Sequence, residues 1–157
     1  SVAAALGGAP RVVTVDIAPA AIEDARENFR LNDIPLDAHA FEVADAFAWT
    51  SRAPVGLLIS DPPSLTHDRK ADRAAERAYR KLHAHLGPQV ARDGLLVTAS
   101  CTARLSLDAW RSAVAEGLAP HGDWSWHWQS AEPPDHPCAL THDEGRYLKM
   151  ALLRKRN

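Results

Sequence analysis

The chain has 157 residues, 46% hydrophobic and 24% charged, enough for one domain with a real core and ordinary for a soluble globular protein. A formal net charge of -2 excludes a bulk electrostatic pull on nucleic acid, so any RNA-directed role needs a local basic patch or a further domain. No apolar run approaches the roughly 20 residues of a membrane span. No secretory signal stands at the start, and Cys101 and Cys138 are too far apart for a zinc ladder, so a reduced, cytoplasmic setting is expected.

The first residues, Val2 to Leu6, read as a helix closed by Gly7-Gly8. A chain that starts inside a helix is expected to be missing its beginning. Arg11 to Ile17 is β-branched and apolar and reads as a strand ending near Asp16. Pro19 suits a first helical turn. Ile22, Ala25 and Phe29 then recur at helical spacing until Asn32-Asp33 and Pro35 stop the helix. A weaker strand, Ala38 to Ala44, ends at Asp45, and Phe47 and Trp49 are expected on a short helix.

Val55 to Ile59 is a short continuous apolar run, the pattern of a strand covered on both faces. Pro62 and Pro63 stop it, which holds Asp61 at its carboxyl end, where open α/β sheets place ligands. A sharp surface turn is the alternative. A helix is expected from about Asp68 to Arg92, with Ala71, Ala75, Ala78, Leu82 and Leu86 buried. Arg69, Arg73, Arg77 and Lys81 form a basic ridge beside Asp68, Asp72 and Glu76. That ridge is a solvated face laced with i,i+3 pairs or a phosphate contact.

Asp93-Gly94 reads as a turn and Gly94 to Thr102 as a strand. Ser106 can cap a helix carrying Leu107, Trp110, Val114 and Leu118. Trp124, Trp126 and Trp128 alternate at period two, a strand with one bulky face that packs in the core or stacks on bases. After a polar loop, Glu132 to Gly145, the closing strand is Tyr147 to Leu153. Strand–helix alternation predicts a mostly parallel sheet with helices on both faces, in a single domain over residues 1–157. The last two strands should pair antiparallel.

Acids end three of these strands. Asp16, at the end of a strand of a nucleotide-binding fold, can accept from ribose hydroxyls, although a dehydrogenase uses the same device. Asp45 can accept from an adenine amino group or cap the following turn. Cys101 at a strand end is a candidate nucleophile, or a small buried apolar residue. His136, Cys138 and His142 share one loop and His83-x-His85 one helix. No four-ligand set at zinc spacing exists, so no metal is expected.

The ordered motifs Ala5-Leu6-Gly7-Gly8 with Val12 to Asp16, Ala25-Arg26-Glu27-Asn28, Asp45-Ala46-Phe47, Asp61-Pro62-Pro63-Ser64, Tyr79-Arg80-Lys81-Leu82, Gly94 to Thr102, Asp135-His136-Pro137 and Glu144 to Lys149 together carry a resemblance. The chain resembles the Rossmann-like class I S-adenosylmethionine-dependent methyltransferases, and among them the bacterial large-subunit rRNA cytosine-C5 methyltransferases. The resemblance implies a methyltransferase using S-adenosyl-L-methionine, with RNA as partner and no membrane. It places the cofactor at Asp16, Ile17, Asp45, Ala46 and Asp61. It places the substrate at Pro62, Pro63 and His136, and catalysis at Cys101 and Asp61. The family's first strand and glycine-rich loop, which wrap the methionine part of the cofactor, are expected to be missing, as is its amino-terminal RNA-binding domain. Ser64 and Leu65 stand where amino-directed methyltransferases carry an aromatic, which counts against adenine-N6 chemistry. A guanine target, a non-catalytic RNA- or partner-binding remnant, and a dinucleotide-dependent oxidoreductase remain the alternatives.

Overall fold

The computed structural model describes residues 1–65, 72–142 and 145–157. They form two compact units, Ser1–Trp49 and Thr50–Asn157.

In the first unit, helix α1 (Val2–Leu6) is followed by strand β1 (Val13–Asp16), helix α2 (Pro19–Leu31) and strand β2 (Ala40–Val43). The left-handed residue after α1 is the second glycine, Gly8, at φ 92. β1 and β2 pair in parallel, Val13 opposite Ala40 through Asp16 opposite Val43. Phe29 of α2 is fully buried, its ring edge-on to both His39 and Phe41 at 5.0 Å. The short helix expected around Phe47 and Trp49 does not form. Residues 46–48 make a turn instead, in which the Asp45 carbonyl accepts from Ala48 and Trp49 N–H. The Trp49 indole donates to Glu42 Oε2 at 2.6 Å, drawing the chain back over β2 before another helical turn can start.

The second unit holds β3 (Val55–Ser60), α3 (Asp72–Leu86), β4 (Val90–Ser100), α4 (Leu107–Leu118), β5 (Trp124–Ser130) and β6 (Lys149–Lys155). The sheet order is β3-β4-β6-β5. β3 and β4 are parallel, and the last strand inserts between β4 and β5, antiparallel to both. Of the expected basic ridge, Arg73, Arg77 and Lys81 are exposed, while Asp68, Arg69 and Ala71 lie outside the described residues.

The helix ends at Leu86, not Arg92, because Gly87-Pro88-Gln89 tightens into a 3-10 turn, in which Pro88 has no N–H for another helical bond. Asp93-Gly94 is therefore a bulge inside β4. Val55 pairs with Val90 and Leu57 with Leu95, and Asp93 takes φ 61 to absorb the extra residues. The three tryptophans do not share a face. His127 is an extra residue between the Trp126–Leu153 and Trp128–Leu152 pairs, so Trp126 turns toward Trp110 (6.2 Å) and Trp128 is 50% exposed.

α3 and α4 cover the sheet face that carries Leu58, Leu96, Thr98 and Leu153. β3 is not covered on both faces. Among the described residues it pairs with β4 alone, and Leu57 and Ile59 point away from the two helices at 47% and 60% exposure. The helices approach closely at Gly117, where a Cβ would stand 2.5 Å from the Arg80 carbonyl.

The buried stripe of α3 includes two residues outside the expected alanine–leucine set, Tyr79 and His83. His83 Nδ1 lies 2.7 Å from the Tyr79 carbonyl and must donate to it, so Nε2 accepts from the Thr98 hydroxyl at 2.8 Å. Burial lowers the His83 pKa to about 4. The unfolded chain, with a histidine pKa of about 6.5, then binds a proton that the folded chain refuses. The stability held by neutral His83 is complete above pH ~6.5 and is lost as pH falls toward the folded value. The window corresponds to about 3 kcal/mol. Urea titrations of wild type between pH 7 and 4 should show this loss, and His83→Gln should flatten the dependence.

Candidate active site

In Ser1–Trp49, the carboxyl ends of the two parallel strands bring Asp16, Ile17, Asp45 and Ala46 to one rim, and all four are exposed. Each acid holds its own backbone. Asp16 Oδ1 accepts from Ala18 N–H at 2.8 Å, and Asp45 Oδ1 accepts from Phe47 N–H at 2.9 Å. The cap role weighed for Asp45 is thus realised, and both carboxylates are locally ordered. The Asp16 carbonyl accepts from Ala44 N–H at 3.0 Å, which ties the two strand ends together. Carboxylates accept only, which suits ribose hydroxyls and an exocyclic amine. Ile17, 68% exposed, offers an apolar surface beside them that suits a nucleoside face.

In Thr50–Asn157, Asp61 and Cys101 follow directly on the adjacent parallel strands β3 and β4. Asp61 and Pro63 are exposed; Pro62 and Cys101 are half-buried. The residue after Cys101, Thr102, is buried and holds the segment together. Its hydroxyl accepts from Leu65 N–H at 3.3 Å, which anchors the acid–proline turn, and lies 3.2 Å from the Tyr79 hydroxyl on α3. Its N–H donates to Ser100 Oγ at 3.2 Å. Its carbonyl accepts from Lys149 Nζ at 3.1 Å.

Burial raises the Tyr79 phenol above its ordinary value. Hydrogen bonds to Ser100 and Thr102 oppose that shift, while negative charge on Cys101 and Asp61 adds to it. Burial likewise lowers the Lys149 amine, and charge on Cys101 and Glu132 pushes it back up. Asp61, Cys101, Tyr79 and Lys149 therefore form one electrostatic cluster around Thr102.

His136 is half-buried, its ring edge-on to Tyr147 at 5.6 Å, and the Tyr147 carbonyl accepts from Lys149 Nζ at 2.7 Å. That chain of contacts links His136 to Thr102, next to Cys101. Cys138 donates its thiol to the Gly145 carbonyl at 3.0 Å. Both ring nitrogens of His83 are engaged in the core. Among the described residues no group of three or more His, Cys, Asp or Glu could hold a metal ion. Sequence reasoning gave no role to Thr102, Tyr79 or Lys149. The available signal was a lysine set between Leu148 and Met150 in an otherwise apolar closing strand.

The strand order, with an antiparallel last strand inserted before the end of a parallel run, and the acids at the carboxyl ends define the fold as that of the class I methyltransferases. Two solved structures show the same fold: a candidate SAM-dependent methyltransferase from Streptococcus mutans (TM-score 0.82, 21% identity, 98% of this chain and 40% of that one) and SMU.776, a candidate methyltransferase complexed with SAH (TM-score 0.80, 21% identity, 98% and 41%). In sequence the chain is similar to the ribosomal RNA large subunit methyltransferase of Deinococcus radiodurans, 36% identical over 98% of this chain and 38% of that protein. The chain spans about two fifths of the length of the curated relatives it matches. No protein-family model matches it.

Thr102→Val keeps the shape of the side chain and removes the hydroxyl that Leu65 and Tyr79 share. A loss of about 1–3 kcal/mol is expected in urea denaturation, the cost of leaving buried polar partners unpaired. Unchanged stability would show that the hydroxyl is dispensable to the turn.

Proposed function

We propose that this chain carries the methyl-transfer chemistry of an S-adenosylmethionine-dependent RNA methyltransferase that forms 5-methylcytosine in large-subunit ribosomal RNA. The observation that carries the reading is a half-buried thiol, Cys101, directly after strand β4, which lies parallel and next to the strand that leads into Asp61-Pro62-Pro63. The similarity to ribosomal RNA large subunit methyltransferases supports the substrate class, and the fold shared with an SAH-bound methyltransferase supports the methyl donor.

Cytosine C5 is too weak a nucleophile to take a methyl group unaided, and a soft nucleophile solves the problem. The Cys101 thiolate gives its electron pair to C6, and the C5–C6 π electrons move into the ring as N3 takes up a proton from solvent. Asp61 accepts from the N4 amino group and from that N3–H. C5 then takes the methyl group, and S-adenosylhomocysteine leaves with the sulfonium's bonding pair. A base removes the C5 proton, the C5–C6 double bond re-forms, the thiolate is expelled, and N3 returns its proton to solvent. Asp16 and Ile17 hold the ribose end of the donor, and Asp45 and Ala46 the adenine. Pro62, Pro63 and His136 border the target base.

Cys101→Ser should lose essentially all methyl transfer to rRNA, since an alkoxide forms far less readily than a thiolate at neutral pH, while Cys138→Ser should keep most of it. RNA bearing 5-fluorocytosine should trap a covalent adduct with wild type and none with Cys101→Ser. A methyl group recovered on guanine, with no adduct, would replace the cytosine reading by the guanine one. Asp16→Ala should weaken S-adenosylhomocysteine binding by about one to two decades in calorimetric titration, the worth of a charge-assisted hydrogen bond. Unchanged affinity would remove Asp16 from the site.

A further inference from the structure

Lys149 is only 6% exposed, an unusual place for an ammonium group. It stands on β6 directly opposite Ser100 in the β4 ladder, and its Nζ donates to the Thr102 carbonyl at 3.1 Å. It is therefore fastened to the residues on either side of Cys101. A second N–H goes to the Tyr147 carbonyl at 2.7 Å. Two neutral carbonyls do not by themselves offset the cost of burying a cation; an anion does. Two groups near the amine can supply it, Cys101 after β4 and Glu132 after β5. Glu132 already uses Oε1 to accept from Leu148 N–H at 3.1 Å. From the other elements packed here, the Tyr79 phenol of α3 feels negative charge on both Cys101 and Asp61, the residue after β3, and neither Tyr79 nor Asp61 brings positive charge.

We propose that Lys149 is a positioning residue that supplies the counter-charge for the Cys101 thiolate, an inference that rests on reading Cys101 as the nucleophile. The ammonium, clamped between the Thr102 and Tyr147 carbonyls, stabilises the thiolate before attack on C6 and again when the sulfur leaves. It keeps its proton throughout; only the sulfur electron pair moves, into the S–C6 bond and back. An ammonium held opposite Ser100 and on the Thr102 carbonyl stands beside the thiol between them, where opposite charge favours the thiolate. Glu132 works against it, by drawing on the same ammonium.

The test reads the thiol directly. In a Cys138→Ser background, Cys101 is the remaining cysteine, and its alkylation by iodoacetamide is followed from pH 5 to 10, with far-UV circular dichroism to check the fold. Lys149→Met should slow alkylation roughly fivefold at pH 7 by lowering the thiolate fraction and move the pH midpoint upward. Lys149→Arg should restore much of the wild-type profile. Glu132→Gln, which keeps an oxygen for Leu148 N–H, should move the midpoint the opposite way. A folded Lys149→Met protein with an unchanged profile overturns the proposal. If Lys149→Met does not fold, an unchanged profile in Glu132→Gln overturns it. Midpoints that move as expected while Cys101→Ser still methylates cytosine would overturn Cys101 as nucleophile, and with it the catalytic part of Lys149, while leaving the charge coupling in place.

Discussion

A single buried threonine holds the candidate catalytic elements in register. Thr102 lies one residue beyond Cys101, and its hydroxyl joins the acid–proline turn through Leu65 and helix α3 through Tyr79. Its carbonyl joins strand β6 through Lys149. A hydroxyl has one proton and two lone pairs, and a buried one is costly to leave unpaired. Moving any one of these elements would orphan a polar group on another, so the thiol and the Asp61 turn are positioned by the same contacts.

The covered face of the four-stranded sheet changes character along the strands. Leu96 on β4 gives way to Thr98, Ser100 and Thr102; Leu58 on β3 gives way to Ser60. On antiparallel β6 the order runs the other way, with Lys149 at the polar end and Leu153 at the apolar end, and all of these residues are buried. α3 carries both characters on its buried stripe, with Leu82 and Leu86 apolar and with His83 and Tyr79 bonded to the hydroxyls of Thr98 and Thr102. The apolar half supplies the hydrophobic driving force. The polar half stays folded because its groups are paired with one another. The cluster around Cys101 lies where this polar half reaches the carboxyl edge of the sheet, the edge at which α/β folds bind ligands.

Much of the architecture was legible in the residue pattern. β-branched runs marked the strands, Pro19 and Ser106 marked helix starts, and the acids and prolines marked strand ends. The antiparallel closing pair followed from the lack of a long helix between β5 and β6. The misreadings had local causes. A helical pattern continued on paper through Pro88, where the backbone could not follow. A period-two tryptophan run concealed a bulge at His127, because one extra residue reverses the facing of everything beyond it.

The residue pattern alone carried the class of fold and named the candidates for chemistry: Asp16, Asp45, Asp61 and Cys101 lie at or just beyond the ends of β1, β2, β3 and β4, where local breakers such as Pro62 stop a strand. Which groups meet depended on the packing. Thr102 follows β4, Tyr79 lies on α3 and Lys149 on β6, and Lys149 reaches Thr102 because β6 inserts between β4 and β5. Burial then turns a threonine into a junction, a histidine into a neutral core residue and a lysine into a counter-charge. The reason is physical: the cost of an unpaired polar group depends on the water it has lost, and water loss is a property of the assembled fold rather than of any stretch of chain.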